Sequence, residues 1–228
     1  MNNFVHYMDP SVTLEERLKL AFDELHLSDE QRESIMAFLN LLKLKDLETY
    51  NHSIRVALVA RNIARFMHLD EKALFYPGLL HDMGKLLTSL KTLRKTKEWT
   101  NDDAQEMKKH VLEGYCLIRG FFDFTAEVIK WHHRFQIHGY PENVPDLLHH
   151  YSEGTKTMIL MYGRLLSLAD SYDAMHRINQ ASGGRPLSGQ EIKERMLKLN
   201  PDQKILIEGL YNADIFTTHT VSPLANTA

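Results

Sequence analysis

Residues 47–67 read LETYNHSIRVALVARNIARFM. Val56, Val59, Ala60, Ile63 and Phe66 recur there every three or four positions, the period that lines one face of an α-helix. A half-buried strand would alternate apolar and polar residues, and this stretch does not. Glu48 and His52 lie four apart, so on that helix their side chains leave the same face. One segment thus points to the fold class and supplies the first piece of a candidate site.

The same period continues outward. Toward the N terminus, Thr13-Leu-Glu-Glu16 and Ser28-Asp-Glu-Gln31 match the capping box that satisfies free backbone donors at a helix start. Leu14, Leu18, Phe22 and Leu25 follow the first, and Ile35, Phe38, Leu41 and Leu42 follow the second, at helical spacing. Toward the C terminus, helices are expected near 71–83, 101–119, 124–133, 155–178, 188–199 and 201–212, with a third capping box at Ser188–Glu191 and Pro201 at a helix start. No alternating strand pattern, repeat or low-complexity tract interrupts them. The expected fold is all-α, a helical bundle with a short N-terminal helical extension (1–45), a motif-bearing domain (46–216) and a poorly ordered tail (217–228). Two loops stand out, the basic 84–99 and the Gly-Tyr-Pro-bearing 134–154.

The chain has 228 residues and a net charge of −3, so no broad basic surface is expected for DNA, RNA or membrane. The first residues carry neither a basic start nor an apolar run, which makes a cytoplasmic location the expectation. A lone Cys116 excludes an intramolecular disulfide or a thiolate metal cluster. The unusual count is 13 histidines.

Their order gives the chemistry. Glu48 and His52 are followed by His81-Asp82, His110, His132-His133 and Asp170. His81-Asp82 sits where the apolar run ALFYPGLL meets Gly84, an imidazole and a carboxylate side by side at a helix end. Asp82 has an oxygen for each of two cations. A set of imidazoles and carboxylates without thiolate suits iron, manganese, zinc, nickel or cobalt. Two or three such ions polarise a phosphoryl oxygen and lower the pKa of a bound water. A single buried histidine is usually structural, and it is the joint pattern that points to metal. His138, inside the second loop, is a further candidate for the site wall, whereas His6, His26, His68, His149, His150, His176 and His219 read as surface or packing residues.

The pattern resembles the HD superfamily of metal-dependent phosphohydrolases, and the extended set resembles its HD-GYP branch, whose members hydrolyse cyclic di-GMP and, in some cases, cyclic GMP-AMP. The likeness is carried by LETYNHSIRVALVARNIA, LLHDMGKLL, LRKTKEWTNDDAQEMKKHVLEGYCLI, VIKWHHRFQIHGYP and LLSLADSYDAM. It implies a two- or three-metal centre with His52, His81, Asp82, His110, His132, His133 and Asp170 as ligands, Asp82 bridging, and Glu48 where some members hold a third ion. It implies Lys85, in the HDxGK motif, as a contact to substrate phosphate. Tyr140 is a candidate base-stacking residue, and Arg94, Lys95, Lys97 and Arg134 are candidate second phosphate contacts.

The departures lie in the loops. HHRFQIHGYP replaces the usual HHExxDGxGYP, LLTSL replaces IGIPD after HDxGK, and HRINQASGGRP replaces the R-P-Y-R segment. The expectation is a metal-dependent phosphodiesterase acting on a cyclic dinucleotide in signalling, with a protein partner or a second copy as possible company. Rival readings are another HD-type phosphohydrolase such as a nucleotidase, a di-iron oxygenase, and a non-catalytic nucleotide-binding module.

Overall fold

The computed structural model describes residues 12–177 and 185–218. Among the described residues every regular element is a helix, as the sequence period requires. The order is α1 (Leu14–Glu24), α2 (Asp29–Lys45), α3 (Leu47–Phe66), α4 (Glu71–Leu80), α5 (Leu90–Leu93), α6 (Asn101–Lys108), α7 (His110–Ile118), α8 (Asp123–Ile129), α9 (Glu153–Met175), α10 (Gly189–Leu199) and α11 (Lys204–Asn212). Short 3-10 turns cover Met83–Leu86 and Pro201–Gln203. The boxes at Thr13, Ser28 and Ser188 form as read, and a fourth forms at Thr100 with Asp103.

Helix α3 is the central element, with Ile54, Val56, Ala57, Ala60, Ile63 and Ala64 buried. It packs against α4 and α9. Gly78 is what lets α4 come so close, since a Cβ there would overlap the Ala57 backbone. The N-terminal pair α1 and α2 joins the same core through Leu18, Phe22, Ile35, Leu39 and Leu42, and Phe22 meets Phe75 edge-on at 6.0 Å. Buried Arg61 ties α1 and α4 to α3, at 2.7 Å from both Glu24 and Glu71.

The structure revises three helix boundaries. The segment 71–83 is helical only to Leu80, 101–119 is split into α6 and α7 at Lys109, and 124–133 is helical only to Ile129. One cause recurs. His81, His110 and His132 each place Nδ1 on the carbonyl three residues back, that of Gly78, Met107 and Ile129, at 2.9, 2.5 and 2.6 Å. Those carbonyls belong to the last turns of α4, α6 and α8, where the regular ladder ends and only weaker backbone contacts remain, such as the His132 N–H on the Ile129 carbonyl at 3.4 Å. An imidazole N–H supplies the missing donor, as basic side chains at helix C-termini do.

The loop 134–154 holds a cis Tyr140–Pro141 bond and runs back over a buried ion pair. Lys130 Nζ lies 2.6 Å from Glu127 Oε2 and donates to the carbonyls of Pro145 (2.9 Å) and Asp146 (3.3 Å). Glu127 Oε1 accepts from the Leu148 N–H at 2.7 Å. At the other end of the chain, Thr217 is buried and its N–H donates to the Tyr172 hydroxyl at 2.9 Å, so it is packed rather than loose. The remainder of the expected tail, 219–228, lies outside the described residues. No helix among the described residues is long and apolar enough to cross a membrane.

Candidate metal centre and active site

A carbonyl oxygen only accepts, so Nδ1 of His81, His110 and His132 must carry the proton, and each Nε2 keeps its lone pair. His52, in the middle of α3, is oriented by a different partner. Its Nδ1 donates to Asp173 Oδ2 on α9 at 2.7 Å. Asp173 is ionised, because burial is outweighed by His52 and by Arg55, whose Nε sits 2.8 Å from Oδ1.

The four Nε2 atoms meet at close range. Nε2 of His52 and His81 are 3.3 Å apart, and so are those of His110 and His132. Asp82 lies between the two pairs. Its Oδ2 is 3.5 Å from His52 and 3.4 Å from His81, and its Oδ1 is 3.4 Å from His110. Asp170 Oδ1 closes the first set at 3.1 Å from His52, and His133 closes the second. All but His133 are buried, and His133 is nearly so.

Electrostatics define the species. Burial pushes His81 down to about 4 and His110 to about 3, and it also lowers His132 and His133. Burial opposes the ionisation of Asp82 and Asp170, yet the surrounding imidazoles, with Lys85 beside Asp82, hold both well below the usual carboxylate range. The result is neutral imidazoles and ionised carboxylates, the protonation state that binds metal. Asp82 Oδ1 is buried without a hydrogen-bond donor. Lone pairs facing one another around an unpartnered carboxylate oxygen are a repulsive arrangement unless a cation stands between them. Ligands about 2.0–2.2 Å from one ion sit roughly 3.0–3.5 Å from each other, which is the spacing found here. The residues fit bound metal, with one oxygen of Asp82 presented to each set.

The cluster opens on a cavity of about 550 Å³, lined also by Lys85, Tyr140, Gln136 and His138. Lys85 Nζ lies 2.5 Å from Asp82 Oδ2. Tyr140 stacks on His133, with ring centroids 4.6 Å apart at 24°, so one face of the ring already braces a ligand. Four residues named from the sequence stand elsewhere. Glu48 is half exposed and pairs with Arg55 at 3.0 Å, outside the converging donor sets. Arg94 is exposed and faces Asp46 at 3.4 Å. Arg134 is exposed, reaches the Gly139 carbonyl, and does not line the cavity. Lys95 is engaged with Asp103 at 2.5 Å. Asp173 and Arg55 were not anticipated. Their only signal is position, three residues beyond Asp170 and His52 on the same helices, which is also how ordinary helix charges are spaced.

The HD domain family matches residues 49–175, more than half of the chain, and this chain belongs to that family. HD domains are metal-dependent, in keeping with the His/Asp cluster. Curated relatives include the cyclic di-GMP phosphodiesterase response regulator RpfG of Xanthomonas campestris pv. campestris, 27% identical over 72% of this chain and 43% of that protein. A cyclic di-GMP phosphodiesterase of Thermotoga maritima is 26% identical over 67% of this chain and 41% of its own. The 3'3'-cGAMP-specific phosphodiesterase 1 of Vibrio cholerae is 26% identical over 73% and 38%. The chain therefore spans about two fifths of the length of these relatives. Among solved structures, the HD domain of the L. monocytogenes phosphodiesterase PgpH aligns with a TM-score of 0.52 at 15% identity, covering 77% of this chain and 86% of that one. The same domain with cyclic-di-AMP bound aligns at 0.51 and 16%, covering 77% and 85%. This likeness shows the fold.

Proposed function

We propose that the chain is a phosphodiesterase of the HD-GYP type that hydrolyses a cyclic dinucleotide, cyclic di-GMP or a relative, with two divalent iron or manganese ions. The observation that carries this is the pair of imidazole sets sharing Asp82, with Lys85 beside it at the foot of an open cavity. The relatives' names supply the substrate class. When bound, the ions supply Lewis acidity and an activated water. His52, His81 and Asp170 would hold one ion and His110, His132 and His133 the other, with Asp82 across both. Lys85 Nζ, now on Asp82, would turn one donor to a phosphate oxygen, and its charge offsets the anion there. Tyr140 and its loop screen the His133 side of the centre from water. With Glu48 held by Arg55, the two-ion version is favoured over a third ion at Glu48. The enzyme would act in the cytoplasm on a small nucleotide rather than on DNA or RNA.

The test is a nucleotide screen with protein loaded anaerobically with manganese or iron. Release of a linear dinucleotide or mononucleotide from cyclic di-GMP, cyclic GMP-AMP or cyclic di-AMP without dioxygen is the expected result. A fully loaded chain that cleaves no phosphodiester would overturn the reading. Turnover that requires dioxygen would point to the oxygenase alternative.

A further inference from the structure

Helix α2 is apolar on two faces. Ile35, Leu39 and Leu42 are buried in the core. At roughly 100° per residue, Ala37, Leu41 and Leu44 fall on the opposite side of the helix. Leu41 is 53% exposed and Leu44 85%, and Ala37 is exposed as well. Phe121, 74% exposed, extends this surface on the Phe38 side, with the two ring centroids 5.6 Å apart. A helix at the surface of a lone domain normally turns charged or polar residues to water on that side. The inner face of α2 packs on α3, α4 and the turn Met83–Leu86, and among the described residues nothing covers the outer one.

The ends of the outer stripe carry opposite charges. Glu30 and Ser34 continue it toward the N terminus, and Lys45 closes it at the other end. Among the described residues neither Glu30 nor Lys45 has an ionic partner, although nearby Arg32 and Lys43 are engaged by Asp23 and Glu15 at 2.5 Å. Glu30 is seven residues before Ala37, and Lys45 is seven after Phe38. An antiparallel copy of α2, related by a twofold axis between Ala37 and Phe38, therefore sets Glu30 opposite Lys45 of the second copy. The same register sets Leu41 opposite Ser34, a large residue against a small one, and symmetry repeats each contact. Small residues at Ser34 and Ala37 let the two axes approach to the ~8–10 Å of packed helices.

We infer that the outer face of α2 is a self-association surface, on which two copies of this chain pair through antiparallel α2 helices. Leu41, Leu44 and Phe121 are covered in the pair, and Glu30–Lys45 ion pairs close both ends. The occupant is a second copy because the charge pattern complements itself under a twofold axis. An unrelated helix would not require Glu30 and Lys45 to stand at equal distances from the centre. One helix of about 25 Å with a single flanking ring is a small contact. The pair thus belongs with weak, concentration-dependent interfaces rather than with obligate dimers. The pairing is independent of the chemistry in the cavity, and holds whether or not the chain cleaves a phosphodiester.

The experiment is sedimentation of the manganese-loaded full chain over about 1–100 μM, for the parent, Leu41→Glu, Glu30→Lys, Lys45→Glu and the double charge reversal. The parent should pass from monomer to dimer as concentration rises. Leu41→Glu should weaken pairing by about tenfold or more, because it places two unpaired carboxylates in an apolar contact. Each single charge reversal should weaken pairing several-fold. The double reversal swaps the sign of every facing pair and should bring pairing back to within about twofold of the parent. The Leu41→Glu monomer should melt as the parent monomer does, since the side chain stands at the surface. If it melts lower, Leu44→Glu takes its place with the same expected loss of pairing. A parent that stays monomeric over the whole range overturns the proposal. A dimer that these leucine variants leave intact also overturns it, because the copies would then meet through another face. Single reversals that the double variant does not relieve overturn the antiparallel register. Hydroxyl-radical labelling of Leu41, Leu44 and Phe121 gives a second readout, and their protection should grow with concentration. Protection that is the same at every concentration would mean that a segment of the same chain, such as residues 1–11, covers the stripe, and would defeat the second copy as its occupant.

Discussion

His81, His110 and His132 are oriented by the carbonyl three residues back on their own chain, whereas His52 is oriented by Asp173, 121 residues away on α9. The first arrangement is local. A helix that ends at the residue before such a histidine, or within the three before it, leaves a carbonyl in need of a donor, and satisfying it aims Nε2 inward. The second is tertiary, and exists only when α3 and α9 are docked. The set of His110 and His132 is therefore aimed by helix ends alone, whereas the set of His52 and His81 depends in part on the packing of the bundle. Asp82 and Asp170 join the halves.

Breaking the joint should have the largest effect. Asp82→Ala removes the carboxylate that lies between the two imidazole pairs, and should abolish both activity and most bound metal, measured by elemental analysis after anaerobic loading. Retention of two ions per chain would show that the halves are independent sites.

The next substitution tests the halves separately. Asp173→Asn keeps the volume of the side chain but weakens the acceptor that holds His52 Nδ1 and releases Arg55. Loss of such an outer partner typically costs about 10–100-fold in metal affinity. The loss should fall on the ion of the His52 set, so competition with a chelator should remove one ion early and leave the other. Equal loss of both would mean that the helix-end half also leans on α9.

Lys85→Ala touches neither half. Metal content should stay at two, while the KM for a cyclic dinucleotide rises and turnover slows, because Lys85 approaches Asp82 without being an imidazole or carboxylate donor. If the metals leave as well, Lys85 is needed to neutralise Asp82 rather than to hold phosphate.

Proton competition probes both sets at once, since His81 lies in one and His110 in the other. His81 and His110 are held at about 4 and about 3, below the 6.5 of a free imidazole. Each binds its proton more weakly folded than unfolded, so falling pH favours the unfolded chain. The stability is full above about 6.5 and is lost progressively as pH drops toward 4. The metal-free chain should melt several degrees lower at pH 5 than at pH 7, with metal binding itself opposing the change. A flat melting profile over that range would mean that the histidines are not held neutral.

How much of this could be read from the sequence follows the same division. The helix period, three capping boxes and the order of the histidines are local signals, and they led to an all-α chain and to the seven donors that the structure gathers. The breaks before His110 and His132 were not legible, because a histidine that caps a carbonyl looks like any helical residue until the helix is seen to stop. Asp173 and Arg55 depend on which helices meet, and no spacing along one helix encodes that. Arg94 and Arg134 misled for the same reason. Their charge was visible, but the path of their loops was not.

The smallest effect is expected at Glu48, and it decides how many ions the tertiary half holds. Position alone, one turn before His52, fits a ligand for a third ion. In the structure the carboxylate is half exposed and spends its charge on Arg55, whose other contacts fix Asp173 and through it His52. If that outer role is all there is, Glu48→Gln removes one exposed ion pair, worth about 0–1 kcal/mol. Metal content should stay at two and turnover should stay within about twofold, since Asp173 still holds Arg55 by two contacts. A third ion would give a different result. Metal content would start near three and fall by one, and activity would fall with it, because the neutral amide lacks the anionic oxygen such an ion prefers. Elemental analysis of the two proteins side by side, loaded with the same excess of manganese, separates the outcomes without relying on activity.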